Sequence, residues 1–117
     1  MGNDNVITEK SMDFAVRIVK LYKYLCDEKK EFIMAKQLLR CGTSIGANVS
    51  EAQHGQSKAD FASKMNIALK EANETIYWLT LLHKTEYMDD TQYESIKKDA
   101  NDIKHILISI CKTSFQK

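Results

Sequence analysis

The residues able to do chemistry in this 117-residue chain are few and scattered. Three histidines, His54, His83 and His105, stand far apart in sequence, and none belongs to an H-E-x-x-H arrangement. Glu51 and His54 make a single Glu-x-x-His pair, whereas metal-binding helical bundles hold iron with two such pairs on separate helices, and no second one occurs. Cys26, Cys41 and Cys111 form no C-x-x-C pair and no metal-like ligand set, so they read as reduced packing residues of a cytosolic protein. The glycines of "CGTSIGANV" lack the G-x-x-x-x-G-K-[ST] spacing of a phosphate loop. No metal, no cofactor and no catalytic residue is expected.

What stands out is "RCGTSIGANVSEAQHG", residues 40–55, a run of small and polar residues in a chain otherwise built of charges and large hydrophobes. Its polar members Arg40, Ser44, Asn48 and Glu51 fall at helical spacing on one stripe. Gly42 lies on the apolar seam, and Thr43, Gly46, Ala47 and Ser50 form a strip without a bulky side chain, where a neighbouring helix could approach closely. Two glycines inside a helix forfeit about 2 kcal/mol of helix propensity, which close packing would offset. Glu74, flanked by Ile67, Trp78 and Leu81, is expected to be partly buried and to pair with Arg40, with Glu51 as the other candidate for that arginine. Ser44 and Asn48 would complete a buried polar layer.

The elements that must carry these residues are helices. There is no proline and there are only four glycines, which removes most of the turn chemistry of a β protein. Phe14, Ile18, Leu21 and Leu25 make an apolar stripe over residues 8–27, and Ala35, Leu38, Gly42, Ile45, Val49 and Ala52 make one over 31–54. Phe61, Met65, Ala68, Ala72, Leu79 and Leu82 do so over 58–87, and Tyr93, Ile96, Ala100, Ile103, Leu107 and Ile110 in a fourth helix. Gly55 is expected to turn left-handed between helices two and three. Capping boxes are expected at Ser57/Asp60 and Thr91/Glu94. Short connections force antiparallel neighbours, so the fold is an all-α, up-down-up-down four-helix bundle, one domain over 1–117 with residues 1–7 frayed.

Seventeen basic and sixteen acidic residues give a formal charge of +1, too little to recruit nucleic acid or a membrane as a whole. No run approaches the length of a membrane span, and the N-terminus lacks a signal-like apolar run, so a cytoplasmic protein without membrane contact is expected. One local basic patch, Arg17, Lys20, Lys23, Lys29, Lys30 and Lys36, is a candidate for phosphate contacts. Apolar residues in excess of one core, Val16, Val19, Ile67, Trp78, Leu81, Ile106 and Ile108, are candidates for an oligomer interface.

"RCGTSIGANVSEA" together with "FASKMNIALKEANETIYWL" resembles the four-helix-bundle family encoded within intervening sequences of large-subunit ribosomal RNA genes. The similarity covers nearly the whole chain. That family includes the accessory variability determinant of diversity-generating retroelements, a bundle assembled as a ring of five that works with a reverse transcriptase and RNA. The family pattern falls on Arg40, Ser44, Ile45, Gly46, Asn48 and Glu51, and on Phe61, Ala68 and Glu74. Lys70 and Glu71 stand where many relatives have glycine and serine, and this chain is nearly neutral where the retroelement protein is strongly basic. The resemblance implies a homo-oligomeric ring, with a pentamer as its expected size. The functional expectation is a non-enzymatic scaffold or adaptor for a protein or nucleoprotein partner. The alternative is a nucleic-acid-binding module using the basic rim. An enzyme built on Arg40, Glu51 and Glu74 is the remotest of the three readings.

Overall fold

The computed structural model describes the backbone of residues 2–115 and the side chains of residues 5–114. Four helices follow one another: α1 (Gly2–Asp27), α2 (Ile33–Gln53), α3 (Lys58–Lys84) and α4 (Asp90–Phe115). They pack as an antiparallel bundle about 46 × 21 × 19 Å, each helix touching its two neighbours around the ring α1–α2–α3–α4. No strand occurs among the described residues.

The periodicity placed the core well. The α2 seam is buried throughout, from Ala35 to Ala52, and so are Tyr93, Ile96, Ala100, Ile103, Leu107 and Ile110 on α4. Phe14, Ile18 and Leu25 of α1 and Met65, Ala68, Ala72, Leu79 and Leu82 of α3 close the interior. Leu21 and Phe61 sit at its margin, packed against the core but partly exposed. Thr75 fills the place left between Ala72 and Leu79: it is fully buried, and its hydroxyl donates to Glu71 O at 2.7 Å, so its own polar group is not stranded.

The ends of the helices required correction. The chain is helical from Gly2, and Ile7 is fully buried, so the segment expected to fray contributes a core residue. The α1–α2 turn is made by Lys30 at φ 54°, and α2 begins at Ile33 rather than at Glu31, whose carboxylate instead accepts from Ala35 N at 2.8 Å. Gly55 does not adopt the left-handed conformation; the second residue that does, besides Lys30, is Glu86 at φ 70° in the α3–α4 turn. Ser57 caps α3 as expected, accepting from Asp60 N at 3.1 Å. The capping box of α4 is Asp89/Gln92 and not Thr91/Glu94: Gln92 N donates to Asp89 Oδ1 at 2.7 Å while Asp89 N donates to Gln92 Oε1 at 2.9 Å. A two-residue error of this kind arises because two acceptors precede the same apolar run, and only one can sit outside the helix.

Candidate functional site

The glycine-bearing helix is held between α1 and α3, and its two glycines serve the α1 side. A Cβ at Gly42 would lie 2.8 Å from Ile18 Cγ1, and one at Gly46 would lie 3.3 Å from the backbone oxygen of Ser11. Ser11 is itself buried, its hydroxyl turned back to Thr8 O at 3.2 Å, which keeps α1 smooth where α2 presses on it. At Gly42 the Ile18 side chain thus fills the place a Cβ would take, and at Gly46 the two backbones approach so closely that a Cβ would press on the Ser11 carbonyl.

On the other side of α2, Arg40 reaches α3. Its Nη2 donates to Glu74 Oε2, and Nη1 lies 3.5 Å from Glu71 Oε1. Trp78 Nε1 donates to the same Glu74 oxygen at 3.1 Å. The Arg40 hydrogen bond, and after it that of Trp78, holds the Glu74 carboxyl below the usual glutamate range, and Glu74 in turn raises the Arg40 guanidinium. Glu71 Oε1 is buried without a hydrogen bond among the described residues.

The expected pair is therefore present, but the expected buried polar layer is not. The Arg40 side chain is 50% exposed and that of Glu74 37%. Ser44 and Asn48 do not complete a layer: Ser44 Oγ donates to Arg40 O at 2.7 Å and Asn48 Nδ2 to Ser44 O at 2.9 Å, both within their own helix. Glu51 turns to Lys64 at 2.8 Å instead of to Arg40. These short polar side chains can reach the preceding turn of α2 more easily than a neighbour on α3, and they do so. Beside the pair, Cys41 is fully buried, and burial pushes its thiol up, as it does that of Cys111.

Of the apolar residues expected at an interface, Val16 and Val19 are exposed, at 47% and 36%. Ile67, Trp78, Leu81, Ile106 and Ile108 are only half exposed, with Trp78 and Ile106 packed against the core of their own chain. At Trp78 and Ile106 the wide apolar arc thus covers the chain's own core, a use that a single-helix wheel cannot distinguish from a contact with another molecule. The structure adds Met12, 64% exposed and on the same face of α1 as Val16 and Val19. Met12 borders a groove of about 670 Å³ between α1 and α2 whose lining includes Ala15, Thr43, Gly46, Ala47 and Ser50. Its only charged lining residues are Glu9 and Asp13.

The basic patch expected on α1 loses its arginine. Arg17 Nη1 pairs with Asp99 Oδ2 at 2.6 Å and Nη2 donates to Ser95 Oγ at 3.0 Å, both on α4. Lys20, Lys23, Lys29, Lys30 and Lys36 are exposed, interleaved with Asp27 and Glu28. His83 Nε2 lies 2.7 Å from Asp90 Oδ1, and its ring stacks on Tyr93 at 4.1 Å, an arrangement that ties the end of α3 to the start of α4. Among the described residues no group of three histidine, cysteine or acidic side chains is placed to hold a metal, and no helix is long and apolar enough to cross a membrane.

Fold and site together define an antiparallel four-helix bundle whose second helix is a small-residue packing rod. Residues 3–109 match the 23S rRNA-intervening sequence protein family, and the chain belongs to that family. It is similar over 94% of its length to a crystal structure of a protein of unknown function from the S23 ribosomal protein family of Bacteroides thetaiotaomicron. The identity is 63%, the TM-score 0.93, and 98% of that chain is covered. Comparison with curated proteins finds no match. The glycines and Arg40 that carried the resemblance are the same residues that set the two α2 contacts.

Proposed function

We propose that this chain is a non-enzymatic bundle that associates with copies of itself through the α1–α2 face and serves as a scaffold or adaptor for a protein or nucleoprotein partner. The observation that supports this most is the unpartnered α1–α2 surface. Its 670 Å³ groove is lined mainly by small uncharged residues and is continued along α1 by exposed Met12, Val16 and Val19. Large apolar side chains in register on one exposed helix face are a feature of interaction surfaces. A groove of this kind would meet a different patch on the next copy, and head-to-tail contacts of that sort close into rings when the rotation permits. The family resemblance puts five as the expected number.

The test is the mass in solution by light scattering on a size-exclusion column. The wild-type chain is expected to run as a multiple of its 13.4 kDa. Met12→Lys places a charge at the mouth of the groove and is expected to give monomer while leaving the helical circular dichroism unchanged. A wild-type protein that is monomeric at micromolar concentration overturns the reading.

A further inference from the structure

The second side of the bundle has a different chemistry. The register of α3 against α4 is fixed by His83 with Asp90 and by Thr80 Oγ1 with Tyr93 OH at 3.0 Å. Continued down the antiparallel pair, that register sets Tyr77 opposite Lys97, Asn73 opposite Asn101, and Lys70 opposite Lys104. The outer α3–α4 face is therefore a strip of three lysines, an aromatic ring and two amides.

The acidic residues of both helices are turned elsewhere. Glu71 and Glu74 face α2, where Arg40 takes them. Asp99 faces Arg17 of α1, while Asp102 lines the α1–α4 cavity and pairs with Lys98 at 3.1 Å. Carboxylates return only at the end of the strip, with Glu94 and with Asp90, the latter already against His83. Lys70, Lys97 and Lys104 make no ion pair among the described residues, and Lys97 stands 5.1 Å over the Tyr93 ring. In a chain of near-zero net charge, the stretch of this face from Lys97 to Lys70 and Lys104 is thus left with carboxylates only at its Glu94 end.

Tyr77 is the distinctive member. It is 57% exposed, yet it does not hang free: its ring meets Trp78 edge to face at 5.0 Å and 79°, and Trp78 is anchored to Glu74. One aromatic ring is thereby held on the surface beside unpaired ammonium groups and side-chain amides. Ammonium groups suit phosphates, an oriented ring suits the face of an unpaired base, and amides suit base edges.

We propose that the α3–α4 face binds single-stranded nucleic acid, with Lys70, Lys97 and Lys104 on the phosphates and Tyr77 stacking on a base. This does not depend on self-association through α1–α2, since it uses the other two helices. Unpaired ammonium groups and side-chain amides favour a polyanion over an apolar protein partner, and the exposed ring favours a single strand over a duplex.

The experiment is fluorescence anisotropy with a labelled oligouridylate at low salt. Each lysine–phosphate contact on a single strand contributes about −0.7 to the slope of log affinity against log salt, so three give about −2 and a fourfold rise in salt weakens binding about 20-fold. The Lys70→Gln/Lys97→Gln/Lys104→Gln variant is expected to lose that slope together with most of the affinity. Tyr77→Ala is expected to cost about tenfold while keeping the slope. Lys20→Gln/Lys23→Gln on α1 should bind as the wild type does, and circular dichroism checks that each variant keeps its helices. The proposal is overturned if the wild-type chain shows no binding at low salt, or if the triple-lysine variant binds normally. It is equally overturned if polyglutamate competes as well as the oligonucleotide, or if a duplex binds as tightly and Tyr77→Ala is silent.

Discussion

Helix α1 touches both of its neighbours, and the two contacts are built in opposite ways. Against α2 it lies backbone to backbone: Ile18 covers Gly42, and the Ser11 carbonyl lies over Gly46. Against α4 the contact is carried by longer side chains, and Arg17, which borders two open pockets along that seam, reaches across to Asp99 and Ser95. The first contact is made of dispersion between close-packed atoms and depends on the absence of side chains. The second is a half-exposed ion pair, with 39% of Arg17 and 44% of Asp99 open to solvent, and water and salt compete with it. The difference shows where the bundle is rigidly specified and where it is merely closed.

The most severe way to break this comparison is to empty the tight seam. Ile18 is fully buried, and Ile18→Ala is expected to lower the unfolding free energy from urea titration by about 2–5 kcal/mol. Gly42→Ala sharpens the point because two effects oppose each other. Alanine regains about 1 kcal/mol of helix propensity, while the added methyl overpacks the seam at a cost of about 1–3 kcal/mol. The expected net is a loss of up to about 2 kcal/mol, relieved in an Ile18→Ala background, which removes the Cγ1, Cγ2 and Cδ1 atoms in its way. If Gly42→Ala stabilises the chain by the full propensity gain, the seam is not tight. At the α4 seam, Arg17→Ala is expected to cost no more than about 1 kcal/mol, less in high salt. A loss as large as that of Ile18→Ala would abolish the distinction between the two contacts.

The same contrast governs what could be read from the sequence. The core was legible because each helix buries one continuous stripe, and a stripe of period 3.6 does not depend on which neighbour covers it. Gly42 and Gly46 were legible as packing residues, since a glycine inside a helix needs a compensating contact and close approach is the commonest one. Arg40 with Glu74 was legible because Glu74 stands among the large apolar residues Ile67, Trp78 and Leu81, where a carboxylate needs a partner. Long polar side chains were less so: Arg17 was read as free when α4 claims it, and Glu51 was offered to Arg40 when Lys64 takes it. Several partners are within reach of such a side chain, and only the register of two helices decides among them. The half-buried state of Ile67, Leu81 and Ile108 was hidden for a related reason, because a wheel drawn for one helix cannot show how far its neighbours overlap it.

The α2–α3 contact offers the finest test, since it combines both modes: buried Cys41 and Thr75 beneath, and the Arg40 pair above. A double-mutant cycle with Arg40→Ala and Glu74→Gln is expected to give a coupling of about 0.2–1 kcal/mol, the range of exposed ion pairs. Arg40→Ala alone should be the worst of the three variants. It strips the cation from two carboxylates at once, and the Glu71 oxygen it abandons is already buried without a hydrogen bond. The sign of the pH dependence follows from the direction of the Glu74 shift. Its carboxyl titrates below the ordinary glutamate value in the folded chain, because Arg40 and then Trp78 bind the charged form. The stability it contributes is therefore present above that ordinary value, near pH 4.3, and is lost as the pH falls through the lowered folded one. The difference between wild type and Glu74→Gln, measured by urea titration, should shrink on acidification across that window. A difference that persists unchanged at lower pH would mean that Glu74 acts by packing and not by charge.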